Sequence, residues 1–348
     1  MNKYIILTFS IIITIFGTIL ESCGKDDSPA GLTTDEDAIR LRLTFAPSLS
    51  MSRADTWNDS YLSTTGDNFE DAISSVDILL YDLSGKFLSR LPWKRDNASP
   101  ATFLVSLDSD SPWLATTADG NKILNGKITV TANSGNGESL SGPVLFNHKI
   151  TELNGIPMWG VKQYSGVEIK TDRVNHLGNV AMLRAMAKVT VTLSDEIDDY
   201  YEITSVTMTG YADKGNAVPE GATTISETGN LEIDGCFNPV TSLVTQPLSF
   251  QKQSDGTYIA YIPEIEKPEN SDILIKVEMI TTSDKRDVKL NDPHIHFVEY
   301  SDRAPTDIAY NIIRNHCYNF EITRVSEKLE TLFTVCGWDN KSTEISFE

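Results

Sequence analysis

Apolar and polar side chains alternate one for one along much of this chain. In AIRLRLTF, Ile39, Leu41, Leu43 and Phe45 alternate with Arg40, Arg42 and Thr44, the period of a strand with one buried face. Residues 46–68 are polar and turn-rich, so a long loop is predicted to separate this first strand from the rest. The alternation resumes at Ile73, where ISSVDILLYDLSGKFLSRL reads as strand, Ser84-Gly85 turn and strand, a hairpin signal. Further strands are predicted in KITVTANSG, GVEIKTD, AKVTVTLS, YEITSVTMTGYA, TYIAYIPEI, DILIKVEMIT, RDVKLND, HIHFVEY, CYNFEITRV and LFTVCGW. Nearly all are short, rich in β-branched or aromatic residues, and bounded by Gly, Asn, Asp or Pro. Helical periodicity is sustained nowhere, and Ala181 to Lys188 is the best candidate for a turn or two of helix. Alternating βαβ units are absent, which argues against a parallel α/β fold. Strands at a spacing of roughly 8–12 residues predict an all-β chain of β-sandwiches. The boundary between its halves is expected near Asn175 to Leu183, where a polar loop should precede a new strand.

The N-terminus follows another pattern. Lys3 is followed by an apolar run from Ile5 to Leu20, broken only by Thr, Ser and Gly; this is long for a secretory signal core and short for a membrane span. Leu20-Glu21-Ser22-Cys23 resembles the bacterial lipobox, which implies cleavage between Ser22 and Cys23 and a diacylglycerol and N-acyl lipid on Cys23. Glu21 departs from the small or apolar residue usual there. The competing reading is an ordinary signal peptide followed by a coincidental cysteine. Lys25-Asp26-Asp27 resembles the signal that sends lipoproteins of the Bacteroides group to the outer face of the outer membrane. Residues 24–37 lack an apolar period and read as a tether.

Charge narrows the partners. The chain has 29 Lys and Arg against 49 Asp and Glu, a formal net charge of −20, which disfavours nucleic acid and anionic membrane surfaces. Beyond Cys23 only Cys236, Cys317 and Cys336 occur, too few for a disulfide framework; at most one pair forms, and which pair is left open.

Catalytic constellations are missing: the chain has no G-x-S-x-G, H-E-x-x-H, phosphate loop or paired C-x-x-C,. No enzyme activity, metal or further cofactor is expected. His294 and His296 would share a strand face able to seat a metal, a spacing that a surface pair shows equally. Asp108 to Ser111 lacks the later bidentate carboxylate of a calcium loop. Asp198-Asp199 and Glu264/Glu266 read as solvated charge or turn residues. Trp159 in IPMWG offers a sugar-stacking face or a core filling.

Several stretches, taken in order, resemble the fimbrillin superfamily, the type V pilins of the Bacteroides and Porphyromonas group. They are the acylated N-terminus with its lone strand and loop, ISSVDILLYDLSGKFL, IPMWG followed by LRAMAKVTVTL, and IIRNHCYNFEITRV with the final FTVCGWDNKSTEISF. Arg184-x-x-Ala187-Lys188 and Arg314 to Tyr318 are the most telling. The resemblance implies two transthyretin-like, Greek-key β-sandwich domains in tandem. Its divisions are a signal peptide (1–22), the tether (23–37), a first strand and loop acting as propeptide (38–53), and sandwiches over 54–180 and 181–348. It also implies a structural subunit of adhesive fimbriae at the cell outer membrane. An arginine-specific protease would cut at Arg53-Ala54, the strand bearing Ile39, Leu41, Leu43 and Phe45 would leave a groove, and a neighbouring subunit's strand would fill it. The candidate donors here are Thr331 to Trp338, with Leu332, Thr334, Cys336 and Trp338 on one face, and Thr343 to Glu348; they read equally as a closing hairpin. Its C-terminal appendage is short for a shaft subunit, which favours a minor or tip position. Partners are then other fimbrial subunits, the outer membrane through the lipid, and a host or bacterial surface ligand. Two alternatives stay open: an anchoring lipoprotein that keeps its N-terminus, and a stand-alone glycan-binding lipoprotein using exposed aromatics such as Trp57, Trp93 or Trp113.

Overall fold

The computed structural model describes residues 38–47, 70, 72–96, 101–134, 145–147, 155–218, 243–266, 273–301, 304–309, 311–326 and 328–337. Ser22, Cys23, Arg53, Ala54, Trp57, Cys236 and Trp338 lie outside them. The described residues are all-β. The first strands are β1 (Ile39–Pro47), β2 (Val76–Tyr81), β3 (Phe87–Arg90), β4 (Trp93–Arg95), β5 (Thr102–Leu107) and β6 (Leu114–Thr116). They continue as β7 (Lys122–Ala132), β8 (Leu145–Asn147), β9 (Met158–Ile169), β10 (Asn175–Arg184), β11 (Met186–Leu193) and β12 (Tyr201–Thr209). Next come β13 (Lys214–Asn216), β14 (Leu248–Ser249), β15 (Gln251–Lys252), β16 (Tyr258–Pro263), β17 (Leu274–Thr281) and β18 (His294–His296). The last are β19 (Val298–Ser301), β20 (Ala304–Ala309), β21 (His316–Val325) and β22 (Leu329–Gly337).

A nine-stranded sheet runs β3-β2-β7-β9-β10-β1-β5-β4, with β6 paired to β7. Its inward side chains form one core, which takes in Ile39, Leu41, Leu43 and Phe45 together with Ile78, Phe103, Trp113, Ile128, Met158 and Val180. A second core lies between a five-stranded sheet, β15-β16-β11-β21-β22, and a four-stranded sheet, β14-β12-β17-β18. Facing sheets with interdigitating inner residues are the packing expected of a sandwich. The chain passes from the first sheet to the second through Ala185 alone, whose N–H donates to Pro157 O at 2.8 Å.

Three stretches depart from the pattern reading, the first being the polar loop expected near Asn175 to Leu183, which is strand β10. Residues 181–188 form no helical turn: they are the end of β10 and the start of β11. Ala, Leu and Met are good helix formers, but intrinsic propensity is worth under about 1 kcal/mol per residue, and pairing on both sides, β11 with β16 and with β21, overrides it,. RDVKLND makes no strand either. After the turn at Lys285, whose φ is 54°, only Asp287 bridges back to Ile280.

Gly126 sits at a register shift between β7 and β9. A Cβ there would come within 1.6 Å of Trp113 Nε1 and 2.6 Å of Tyr81 O. Trp113 is fully buried and edge-on to Tyr164 at 6.0 Å, so it cannot swing aside. Gly126→Ala is therefore expected to lower stability by about 1–3 kcal/mol, read from the urea midpoint at unchanged m-value.

Candidate functional site

The first strand is the centre of the site. β1 lies parallel to β10, from Leu41 opposite Asn175 to Pro47 opposite Met182, and antiparallel to β5, from Ile39 opposite Leu107 to Thr44 opposite Thr102. Both of its backbone edges are thus occupied, although it is the first strand among the described residues. Ile39, Leu41, Leu43 and Phe45 are each 0% exposed. Phe45 stacks on Phe103 at 4.9 Å, Trp93 meets Phe103 edge-on at 5.3 Å, and the Arg95 guanidinium lies 5.2 Å over the same ring.

The other face of β1 carries the polar contacts. Arg42 Nε is 2.9 Å from Asp96 Oδ2, and Arg42 Nη1 is 3.5 Å from His176 Nε2. Thr44 and Thr102 share a hydroxyl hydrogen bond of 3.1 Å. Asn175 Nδ2 donates to the Arg40 carbonyl at 3.3 Å. Every partner of β1 is distant in sequence, so the strand is held by tertiary pairing and not by any local turn.

The two most telling sequence motifs meet beside the crossing between the sheets. Arg184 N and Nη1 both approach Asn315 Oδ1, at 3.3 and 3.4 Å, and Asn315 N donates to Met186 O at 2.8 Å. Asn315 has φ 58°, a left-handed conformation that Asn tolerates better than most residues. Burial pushes the His316 imidazole below its ordinary value, against the raising effect of its hydrogen bond with Arg314 O.

Glu70 completes this junction, and sequence reasoning missed it. Its buried carboxylate accepts from Lys188 Nζ at 2.7 Å and from Tyr261 OH at 2.5 Å, while its carbonyl accepts from Arg184 Nε at 3.2 Å. Glu264 is the opposite of the solvated charge expected. It is 1% exposed and forms a bidentate pair with Arg314, at 2.5 and 3.0 Å. The guanidinium reaches it because the outward pull of hydration is replaced by four hydrogen bonds, two of them to the carbonyls of Asn216 and Ala217,.

The candidate donor strand lies in β22, paired antiparallel to β21 at the edge of its own sheet. Phe333 is buried and stacks on Phe320 at 4.6 Å, while Leu332 is half-buried on the other face. Thr334 and Cys336 stand opposite Asn319 and Cys317 in register. His294 and His296 flank Asp292, with N–O distances of 2.9 and 3.5 Å. Burial pushes the Asp292 carboxyl up, but its hydrogen bonds with the two histidines hold it below its ordinary value. No group of three His, Cys, Asp or Glu side chains among the described residues could hold a metal ion.

Of the tryptophans named for glycan stacking, Trp113 offers no face, whereas Trp93 is half-buried. Trp113 is 1% exposed, and Trp93 packs on Phe103 with its Nε1–H donated to Val76 O at 2.9 Å. Core burial outcompetes display for such large rings. Trp159 is likewise buried, against Val161 and Leu183 with Val218 alongside.

No protein-family model and no curated protein matches the chain. Among solved structures, it is similar to the tip fimbrial protein Mfa3 from Porphyromonas gingivalis, solved with a C-terminal truncation. That match has a TM-score of 0.52 at 14% identity and covers 86% of this chain and 100% of the other. A "putative cell adhesion protein" from Parabacteroides distasonis gives a TM-score of 0.50 at 14% identity, over 87% of this chain and 98% of the other. At these identities the likeness is one of fold: this chain shares the fold of the Mfa3 tip fimbrial protein.

Proposed function

We propose that this chain is a structural subunit of adhesive fimbriae on the cell surface, a minor or tip subunit that enters the fimbrium by strand exchange. The observation that carries the reading is the place of β1: the first strand among the described residues, seated between β10 and β5 with four fully buried apolar side chains and followed in the sequence by the polar, turn-rich stretch 48–69. Cutting the loop at Arg53-Ala54 severs β1, the tether and the lipid on Cys23 from the rest of the chain, so that a competing strand can displace them. The place that β1 yields offers two backbone edges and a row of apolar pockets, which is what strand addition requires. The shared fold with a tip fimbrial protein supports the same reading. So does β22, which is seated against β21 and suits a subunit that receives a strand and gives none.

N-terminal sequencing of surface-extracted protein tests this. Fimbrial fractions are expected to yield a chain that starts at Ala54. An assembled chain that still starts at acylated Cys23 would make the protein an anchor and overturn strand removal. Recovery as monomer alone, with no fimbrial subunit attached, would overturn the fimbrial role.

A further inference from the structure

The polar face of β1 bears on which strand can follow it. At Arg42 the strand places a guanidinium 2.9 Å from Asp96, whose side chain is only 11% exposed. Asp96 belongs to the sheet that stays behind: its N–H donates to Thr102 O at 2.8 Å, beside the end of β4. An incoming strand in the same register therefore puts one of its own outward residues against this half-enclosed carboxylate. A cation there restores the pair, whereas an anion sets two carboxylates face to face.

The C-terminal candidate donor segments of this chain do not meet that requirement. Thr331 to Trp338 contains no Lys, Arg or His, on either face. In Thr343 to Glu348, the frame that puts Phe347 in the Phe45 pocket and Ile345 in the Leu43 pocket puts Glu344 at the Arg42 position. Lys341 cannot substitute, because it shares the parity of Ile345 and Phe347 and would point inward with them,.

Building on the strand-exchange reading above, we propose that the groove is charge-selective. Its occupant is a strand of a different protein chain, with large apolar residues at the positions of Ile39, Leu41 and Leu43, an aromatic residue at Phe45, and Lys or Arg at Arg42. The segments Thr331–Trp338 and Thr343–Glu348 of a second copy are refused. Asp96 is the specificity-determining residue, and the selectivity works by repulsion of wrong strands as much as by attraction of the right one.

The test uses the full chain nicked in the loop between β1 and Glu70, with β1 still seated, and labelled peptides that compete for its place. The probes are the 38–47 peptide, its R42E form, and peptides of Thr331–Trp338 and Thr343–Glu348. The 38–47 peptide is expected to exchange in, the R42E form at least about tenfold less, and the two C-terminal peptides not measurably. A chain carrying Asp96→Lys should reverse the preference and favour the R42E peptide. In the uncut chain, R42E and D96K should each lower Tm, and the double variant should recover most of the loss. Equal capture of the 38–47 and R42E peptides, or capture of Thr331–Trp338 as well as 38–47, would overturn the charge selectivity while leaving strand exchange intact. Failure of the unaltered 38–47 peptide to enter would overturn strand exchange itself.

Discussion

Substituting Arg314 by alanine is expected to lower the stability of the chain by about 3–5 kcal/mol. The side chain is 0% exposed and Glu264 is 1% exposed, so solvent screens neither charge. The guanidinium holds Glu264 through Nε and Nη2 and holds the carbonyls of Asn216 and Ala217 through Nη2 and Nη1, at 2.8 and 3.1 Å. Alanine removes the cation that faces a buried carboxylate and takes a donor from each of two buried carbonyls. The cost lies in what remains behind. Replacing both partners with apolar residues of similar volume, as in Arg314→Met with Glu264→Leu, should be much milder than Arg314→Ala alone. Urea denaturation of the single and double variants reads the difference. A loss under about 1 kcal/mol for Arg314→Ala would mean that Glu264 is solvated after all. The damage should spread to the β8–β13 ribbon, because Asn216 is both an Arg314 acceptor and the register partner of Leu145.

The legible parts of this molecule were those whose burial alternates. β1 declares itself because Ile39, Leu41, Leu43 and Phe45 all face one core and Arg40, Arg42 and Thr44 face outward. The β2–β3 hairpin is visible for the same reason, with Gly85 at φ 87° supplying the turn,. β10 was read as a polar loop because Gly178, at φ 75°, and the exposed His176 and Asn179 interrupt its pattern. Pairing to β1 on one side and β9 on the other makes it a strand regardless. β5 was missed although Phe103, Val105 and Leu107 do alternate; its signal was present and unused. The junction could not have been found this way. Glu70 is one acidic residue beside a polar loop, and its partners Lys188 and Tyr261 are 118 and 191 residues further along the chain. Nothing periodic links residues so distant, and Glu264 looked solvated for the same lack of local signal.

Introducing a charge into β1, as Leu43→Asp, is expected to have the largest effect of any single substitution and to confine it to the first sheet. Leu43→Ala alone should cost about 2–5 kcal/mol through lost burial and the cavity left behind. Aspartate adds the cost of desolvating a carboxylate in an apolar core. Arg40→Ala, on the exposed face of the same strand, should stay within about 0.5 kcal/mol. Hydrogen exchange then reads where the loss falls. Amides of β5 and β10, which pair directly with β1, should lose protection, while those of β11 and β21 around the second core keep theirs,. Equal loss in both would mean that the two cores unfold as one unit. The same arithmetic constrains how β1 can be exchanged. Each of its four buried side chains contributes roughly 1.5–3 kcal/mol, so an empty groove forgoes about 6–12 kcal/mol, as much as the whole stability of an ordinary domain. A first sheet without any strand in that place would not persist as a folded receptor. The strand exchange proposed above would therefore proceed as displacement, with the incoming strand pairing at one end of the groove while the outgoing one is still seated at the other. Cutting the loop permits this step without driving it, and the nicked chain should keep β1 bound until a competing strand arrives.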